Sequence, residues 1–124
     1  MITVKEIAFT GYPVTDIARA RAFYEGLLRL TPGASFEHEG KHWLEYEVGG
    51  STLAISNMSM DQWKPSADGP AAALEVTDFE SAVETLRTAG VKFLLGPMDT
   101  GVCKMLIVSD PDGNSLVIHR RHAG

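Results

Sequence analysis

Apolar and polar residues alternate with a period of two over several short stretches of this chain, which predicts β-strands. Two other stretches, 17–28 and 79–86, carry apolar residues at helical spacing and predict amphipathic helices. The predicted strands are 7–14, 35–39, 42–48 and 51–57 in the first half, and 71–76, 92–95, 102–109 and 115–119 in the second. Each half therefore has the order strand, helix and three strands.

An internal repeat supports this division. The tetrapeptide that begins at Val14 recurs with one change at Val76, an offset of 62 residues in a chain of 124. In each copy an aspartate, Asp16 or Asp78, occupies the position where a side chain accepts hydrogen bonds from the free N–H groups of a first helical turn. The repeat predicts a single domain of residues 1–124, built from modules 1–57 and 70–124 and a linker at 58–69.

The pair Gly49-Gly50 predicts a two-residue hairpin turn between two strands of the first module. This turn would pair Val48 with Ser51, and alternate residues would then form one wholly apolar face. The opposite face carries a mixed set suited to lining a ligand cavity, namely Trp43, Glu45, Glu47, Thr52, Ala54 and Ser56.

Two segments carry a family resemblance, VTDIARARAFYEGLL in the first module and DPDGNSLVIH near the end of the second. With the duplicated βαβββ order, they make the whole chain similar to the glyoxalase, bleomycin-resistance and extradiol-dioxygenase superfamily, also called vicinal oxygen chelate proteins. The resemblance implies an α+β fold in which each module forms a curved antiparallel sheet enclosing a ligand cavity, with the helices on the outer face. It also implies a homodimer.

The resemblance further implies four positions that hold a divalent metal ion in enzymes of the superfamily. In this chain those positions are Phe9, Ala54, Ala71 and Val117. Hydrocarbon side chains offer no nitrogen, oxygen or sulfur donor to a metal ion, so we expect neither a metal nor another cofactor. Glu75 and His119 lie on the same predicted strand faces and leave a displaced metal site open.

His38 and His42 enclose an H-E-x-x-H pattern, which on a helix would bind zinc. Gly40 and the alternation that begins at His42 instead predict a hairpin there.

The lone cysteine, Cys103, cannot form an intrachain disulfide, which is compatible with a cytoplasmic location. A formal net charge of −5 disfavours nucleic acid, and no apolar stretch is long enough for a membrane span.

Three aromatic residues, Phe9, Trp43 and Trp63, are our candidates for the walls of a binding cavity. Carboxylates near aromatic faces favour cations, so the expected ligand is a small hydrophobic or cationic aromatic molecule. The loop at 57–69, which contains Trp63, is either a plain linker or a lid. The full predicted cavity comprises Phe9, Trp43, Glu45, Glu47, Ala54, Trp63, Ala71, Glu75, Val117 and His119.

These residues favour a metal-independent protein that binds or sequesters a small molecule. The alternative is a lyase, an isomerase or a dioxygenase-like enzyme that uses Glu45, Glu75 or His119 as acid and base, or a displaced metal site. A third possibility is a regulatory module whose cavity is filled by its own side chains. The fold alone does not decide among them, because it supports many functions.

Overall fold

The structure is a computed structural model that describes residues 1–58 and 61–122, so residues 59–60 of the predicted linker lie outside the described residues. Two compact units divide the chain, Met1–Pro65 and Ser66–Gly124. In the first unit the elements are β1 (Thr10–Pro13), α1 (Ile17–Arg21), a π-helical segment (Ala22–Leu27), β2 (Thr31–His38), β3 (Lys41–Val48) and β4 (Ser51–Ser56). In the second they are β5 (Ala73–Glu75), α2 (Phe79–Thr88), β6 (Phe93–Asp99), β7 (Cys103–Ser109) and β8 (Ser115–Arg121).

Each unit contains one four-stranded sheet, with the order β1-β4-β3-β2 in the first and β5-β8-β7-β6 in the second. The predicted α+β fold with two βαβββ modules is confirmed. One detail differs from a wholly antiparallel sheet, because β1 pairs with β4, and β5 with β8, in parallel. The last three strands of each module alternate in direction, and the helix returns the chain before they begin, so the first and last strands run the same way.

Both helices begin as the repeat predicts. Asp16 Oδ1 accepts a hydrogen bond from the Arg19 N–H, and Asp78 Oδ1 accepts one from the Ser81 N–H, each over 3.0 Å. Both aspartates have extended backbone angles, so their side chains can fold back onto the first turn. The same aspartate therefore starts the helix in both modules.

The helices cover the apolar face of their own sheet. In the first unit the buried core includes Tyr24 and Tyr46, whose rings stack with centroids 6.2 Å apart. In the second unit Val83 and Leu86 of α2 are buried, as are Leu106 and Ile118 of the sheet. Alternation along the strands then directs the remaining side chains to the other face of each sheet.

The first helix differs from the regular helix predicted over 17–28. Its α-helical hydrogen bonding ends at Arg21, and a π-helical segment follows, in which the Leu28 N–H bonds to the Phe23 carbonyl over 2.9 Å. This wider turn carries Glu25, which accepts hydrogen bonds from both Arg21 and the buried Tyr46 hydroxyl.

No helix in the described part of the chain is long and apolar enough to span a bilayer.

Several strand ends also differ from the predictions. Strand β1 begins at Thr10 rather than at residue 7, because Thr10 pairs with Leu53 and β4 itself begins only at Ser51. Residues before Phe9 therefore have almost no strand left to pair with. Likewise β5 begins at Ala73 rather than at Ala71. Strands β2, β6 and β8 are longer than predicted, because their cross-strand neighbours continue beyond the alternating segments.

The predicted Gly49-Gly50 hairpin is confirmed. Val48 pairs with Ser51, and the register continues to Trp43 opposite Ser56. The segment from His38 to His42 is a strand end, a two-residue turn and a strand start, so it forms no zinc-binding helix.

Candidate functional site

The face of the first sheet that the helix leaves open carries the mixed residues of the hairpin. Glu45 of β3 lies opposite Ala54 of β4, and Ala54 lies opposite Gly11 of β1. Two small residues, Gly11 and the fully buried Ala54, thus form the floor of this face at its centre. Larger groups can approach the backbone closely at such a place.

Three aromatic side chains surround this floor. The Phe9 ring meets the Trp43 ring edge to face, with centroids 4.9 Å apart and an angle of 85° between the planes. The Trp63 indole covers Gly11 so closely that a β-carbon there would lie 3.1 Å from Trp63 Cη2 and 3.5 Å from Phe9 Cε2. We call Phe9, Trp43 and Trp63, with Gly11 beneath them, the aromatic patch. Phe9 remains 46% exposed, so the patch is open to solvent.

A carboxylate borders the aromatic patch. The Trp43 indole Nε1–H donates a 2.9 Å hydrogen bond to Glu45 Oε2, which fixes the ring and the carboxylate relative to each other. Glu47 lies farther along the same strand and is exposed, with its side chain directed toward Gly33 of β2. Negative charge therefore lies at one side of the aromatic surface.

The open face of the second sheet carries different chemistry. Glu75 of β5 lies opposite His119 of β8, and the His119 Nδ1 is 2.5 Å from Glu75 Oε1. The backbone N–H of Arg121 donates to Glu75 Oε2 over 2.7 Å. These two hydrogen bonds, the one from Arg121 first, lower the pKa of Glu75 below its ordinary value. The result is a carboxylate–imidazole pair.

The structure therefore divides the predicted site residues between the two units. Phe9, Trp43, Glu45, Ala54 and Trp63 come together in the first unit, with Glu47 nearby. Glu75, Val117 and His119 share one face of the second. Phe9 precedes β1, and Ala71 is exposed and precedes β5, so neither lies within the first strand of its module, where it was predicted.

Sequence reasoning missed Gly11 and Arg121. A glycine inside a predicted strand indicates close approach of another group, and that signal could have identified Gly11. Arg121 acts through its backbone N–H, which any residue except proline supplies. No pattern of side chains could have revealed it.

The strand registers also identify equivalent positions in the two units. Gly11 opposite Ala54 in the first unit corresponds to Ala73 opposite Val117 in the second. Two residues farther along the last strand of each unit, Ser56 corresponds to His119. The two modules thus have one backbone framework with different side chains on its open face.

The donor set does not fit the metal ion that the resemblance implies. Phe9, Ala54, Ala71 and Val117 offer only hydrocarbon, and protein sites for catalytic metals usually provide three or more ligands. Within residues 1–58 and 61–122, no group of three His, Cys, Asp or Glu side chains is placed to hold a metal ion. The pair of Glu75 and His119 supplies only two ligands.

The model for the Glyoxalase/Bleomycin resistance protein/Dioxygenase superfamily matches residues 6–118. The chain belongs to this superfamily. Among curated proteins no significant match to the chain was found. Solved structures similar to this superfamily member share its α+β fold with two modules.

One of these structures is TnmS3, an antibiotic binding protein from Streptomyces sp. CB03234, with 21% identity, a TM-score of 0.76, and coverage of 98% of this chain and 100% of that one. A superfamily member from Sphaerobacter thermophilus DSM 20745 has 20% identity and a TM-score of 0.77, with coverage of 95% and 98%. The trypanothione-dependent glyoxalase I of Leishmania major has 19% identity and a TM-score of 0.77, with coverage of 94% and 87%. At these identities the similarity concerns the fold.

Proposed function

We propose that this superfamily member binds a small planar molecule, hydrophobic or cationic and aromatic, on the aromatic patch, and that binding requires no metal ion. The observation that carries the proposal is the arrangement of Phe9, Trp43 and Trp63 around Gly11. The exposed Phe9 and the half-buried Trp43 and Trp63 together offer stacking surface that a lone surface ring does not.

The neighbouring carboxylate favours a cationic ligand. Glu45 is hydrogen-bonded to the Trp43 indole, so a cation stacked on that ring would lie close to a fixed negative charge. Ring faces also attract cations through their quadrupole, by about 0.5 to 2 kcal/mol. The net charge of −5 adds a weak attraction for cations in the same direction.

Metal independence rests on the hydrocarbon side chains at the four positions tested above, among them Ala54 and Val117. Without donors at those positions, the fold can still enclose or cover a ligand by apolar contact. The antibiotic-binding function named for TnmS3 is consistent with this use of the fold. Binding without bond cleavage is therefore the simplest function that the aromatic patch supports.

Intrinsic fluorescence tests the proposal directly, because both tryptophans of the chain, Trp43 and Trp63, belong to the aromatic patch. We would titrate the protein with ethidium, a planar aromatic cation, and with anthraquinone, a planar uncharged compound. Saturable quenching is expected for at least one of them. Trp43→Phe and Trp63→Phe variants then assign the quenching to each ring.

A charge variant separates the two ligand classes. Glu45→Gln should weaken binding of the cation by about 3- to 10-fold and leave the uncharged compound unaffected. Glu84→Gln, on the exposed side of α2, is the matched control and should bind like the unchanged protein. Absence of saturable quenching with both compounds would contradict the proposal and favour a module whose binding surface is filled by its own side chains.

We further propose a cytoplasmic homodimer. Apolar side chains remain exposed on the edge strands β2 and β6, namely Phe36 at 59% and Leu95 at 50%. Exposed apolar groups of this size favour association with another protein surface. Light scattering coupled to size-exclusion chromatography should give twice the chain mass, and a monomer would contradict this assembly.

The cytoplasmic location is supported by Cys103. Its thiol is buried and forms no disulfide, which fits a reducing compartment.

A further inference from the structure

The hydrogen bonds of Glu75 indicate where the proton of its histidine partner lies. Glu75 receives the Arg121 N–H at one oxygen and His119 Nδ1 at the other, and these contacts lower the pKa of the carboxyl group. An ionised carboxylate can only accept hydrogen bonds, so the proton lies on His119 Nδ1. In the neutral imidazole the lone pair then lies on Nε2.

The second ring nitrogen, His119 Nε2, is available to accept a proton. Within the described residues no hydrogen bond is made to His119 Nε2, and the side chain is 24% exposed. The arrangement has the parts of a histidine base: an imidazole, a carboxylate that fixes its tautomer, and a backbone N–H that holds the carboxylate. The Arg121 guanidinium lies 3.9 Å from Glu75 Oε1 and adds positive charge at the same place.

The sheet surface beside His119 is apolar. Met105 of β7 lies directly opposite His119, while Val117 precedes it by two residues on the same face. Ala73 and Ile107 flank Val117 on the neighbouring strands. A base beside such a surface can meet a substrate whose body is hydrocarbon and whose reacting proton is on carbon.

We propose that Glu75 and His119 form a proton-transfer dyad, in which His119 Nε2 removes a proton from an apolar carbon acid lying on Ala73, Met105, Ile107 and Val117. The substrate class is an uncharged carbonyl or heteroaromatic compound with an acidic C–H bond. This activity goes beyond the proposed binding function, and it does not depend on the aromatic patch.

The chemical step needs no oxidant or reductant. The C–H bond breaks, its proton moves to Nε2, and its electron pair moves into the adjacent bond of the substrate. Glu75 stabilises the imidazolium that forms. Return of the proton to another substrate atom completes an isomerisation, and expulsion of a leaving group completes an elimination.

The charged groups that face His119 are few. Glu75 lies on β5 and Arg121 on its own strand, whereas β7 contributes the uncharged Met105. Lys104 and Arg120 point to the other face by strand alternation, and Lys104 is bound there to Glu80 of α2. Glu75 and Arg121 therefore supply the charge on the face of the sheet where His119 lies.

The test uses 5-nitrobenzisoxazole, a planar probe that loses its ring C–H proton to a base. The electron pair forms a nitrile, the N–O bond breaks, and a coloured phenolate is released. We expect the unchanged protein to exceed His119→Gln by at least about 10-fold, with Glu75→Gln between them. His38→Gln and His122→Gln are the matched controls, because each of these histidines also lies beside a carboxylate. Both controls should retain the full rate.

Two measurements distinguish a direct role of His119 from loss of folding in the variants. Added imidazole should restore the rate of His119→Gly, and nitrogen NMR should find the proton on Nδ1 of His119 in the unchanged protein but not fixed there in Glu75→Gln. The proposal is overturned if the unchanged protein is no faster than His119→Gln, if the controls lose as much rate, or if the proton lies on Nε2. Ligand binding at the aromatic patch is measured separately by tryptophan quenching, so failure of one proposal is distinguishable from failure of the other.

Discussion

The indole of Trp63 lies over the α-carbon of Gly11, and a β-carbon at that position would be 3.1 Å from the ring. Contacts this short force the neighbour to move by a few tenths of an ångström. The absence of a side chain at Gly11 therefore lets a residue from the loop after β4 lie close against β1. It also makes Trp63 part of the aromatic patch.

Gly11→Ala should displace Trp63 and weaken binding of a planar probe by about 5-fold or more, because the added methyl group would lie only 3.1 Å from the ring and push it away from β1. The emission maximum of Trp63, read in a Trp43→Phe background, should shift to longer wavelength as the ring becomes more exposed. Gly26→Ala is the control, since no atom beyond its chain neighbours and its own helix backbone lies within 4 Å of a β-carbon placed there. Unchanged emission and affinity in Gly11→Ala would show that the indole contact is unimportant.

Removing either aspartate cap should destabilise the fold by about 1 kcal/mol, because one N–H group of the first helical turn loses its acceptor. Asp16→Ala and Asp78→Ala lie in different units, so the double variant should lose about 2 kcal/mol. Urea denaturation measures these changes in the free energy of unfolding. Asp61→Ala removes the same charge from a loop and should have little effect. A double variant no less stable than the single ones would contradict independent caps.

Glu25 should make the protein sensitive to acid. The Arg21 side chain and the Tyr46 hydroxyl lower the pKa of Glu25 below its ordinary value of 4.5, so the folded state binds this proton less tightly than the unfolded chain. The stabilisation is thus present above pH 4.5 and is lost as the pH falls through the lower pKa of the folded state.

Thermal melts between about pH 7 and about pH 3 check this sign. Glu25→Gln keeps an acceptor for Tyr46 but removes the charge. Its melting temperature should therefore fall less on acidification than that of the unchanged protein. Glu6→Gln, in the exposed N-terminal segment, should behave like the unchanged protein. A Glu25→Gln curve parallel to that of the unchanged protein would contradict the assignment. Glu75, Glu80 and Asp99 also have lowered pKa values, so some acid sensitivity will remain.

Divalent metal ions should affect neither folding nor binding. We expect purified protein to contain less than stoichiometric zinc, nickel, manganese or iron by elemental analysis, and EDTA to leave the melting temperature and probe affinity unchanged. The reason is that hydrocarbon at Ala54 and Val117 cannot replace the hydration shell of an ion. Stoichiometric metal with a melting shift that disappears in Glu75→Ala or His119→Ala would instead identify a displaced site.

Local signals in the sequence were sufficient for the parts of the fold that depend on neighbouring residues. The helix starts at Asp16 and Asp78 and the turn at Gly49-Gly50 were predicted because each uses contacts within a few residues. The π-helical segment around Glu25 was not predicted, since its apolar spacing resembles that of a regular helix. Its Tyr46 contact lies 21 residues away in the chain.

The candidate site was predictable only as a set of side chains. Alternation placed Trp43 beside Glu45 on one strand face, and the structure adds the hydrogen bond between them. Parity also placed Glu75 and His119 on matching faces, yet their contact depends on the parallel register of β5 and β8, which the sequence does not encode locally. The division of the site residues between two units, in contrast, follows from their positions in the chain, because the boundary after Pro65 lies inside the predicted linker at 58–69.

Equivalent positions in the two units carry different side chains on the same duplicated backbone framework. Where β4 carries Ser56, β8 carries His119, and where β3 carries Trp43, β7 carries Met105, the residue opposite His119. A protein assembled from two copies of the first unit would have the same backbone and a second aromatic surface, but no carboxylate–imidazole pair. The carboxylate–imidazole pair of this chain thus depends on the difference between its halves.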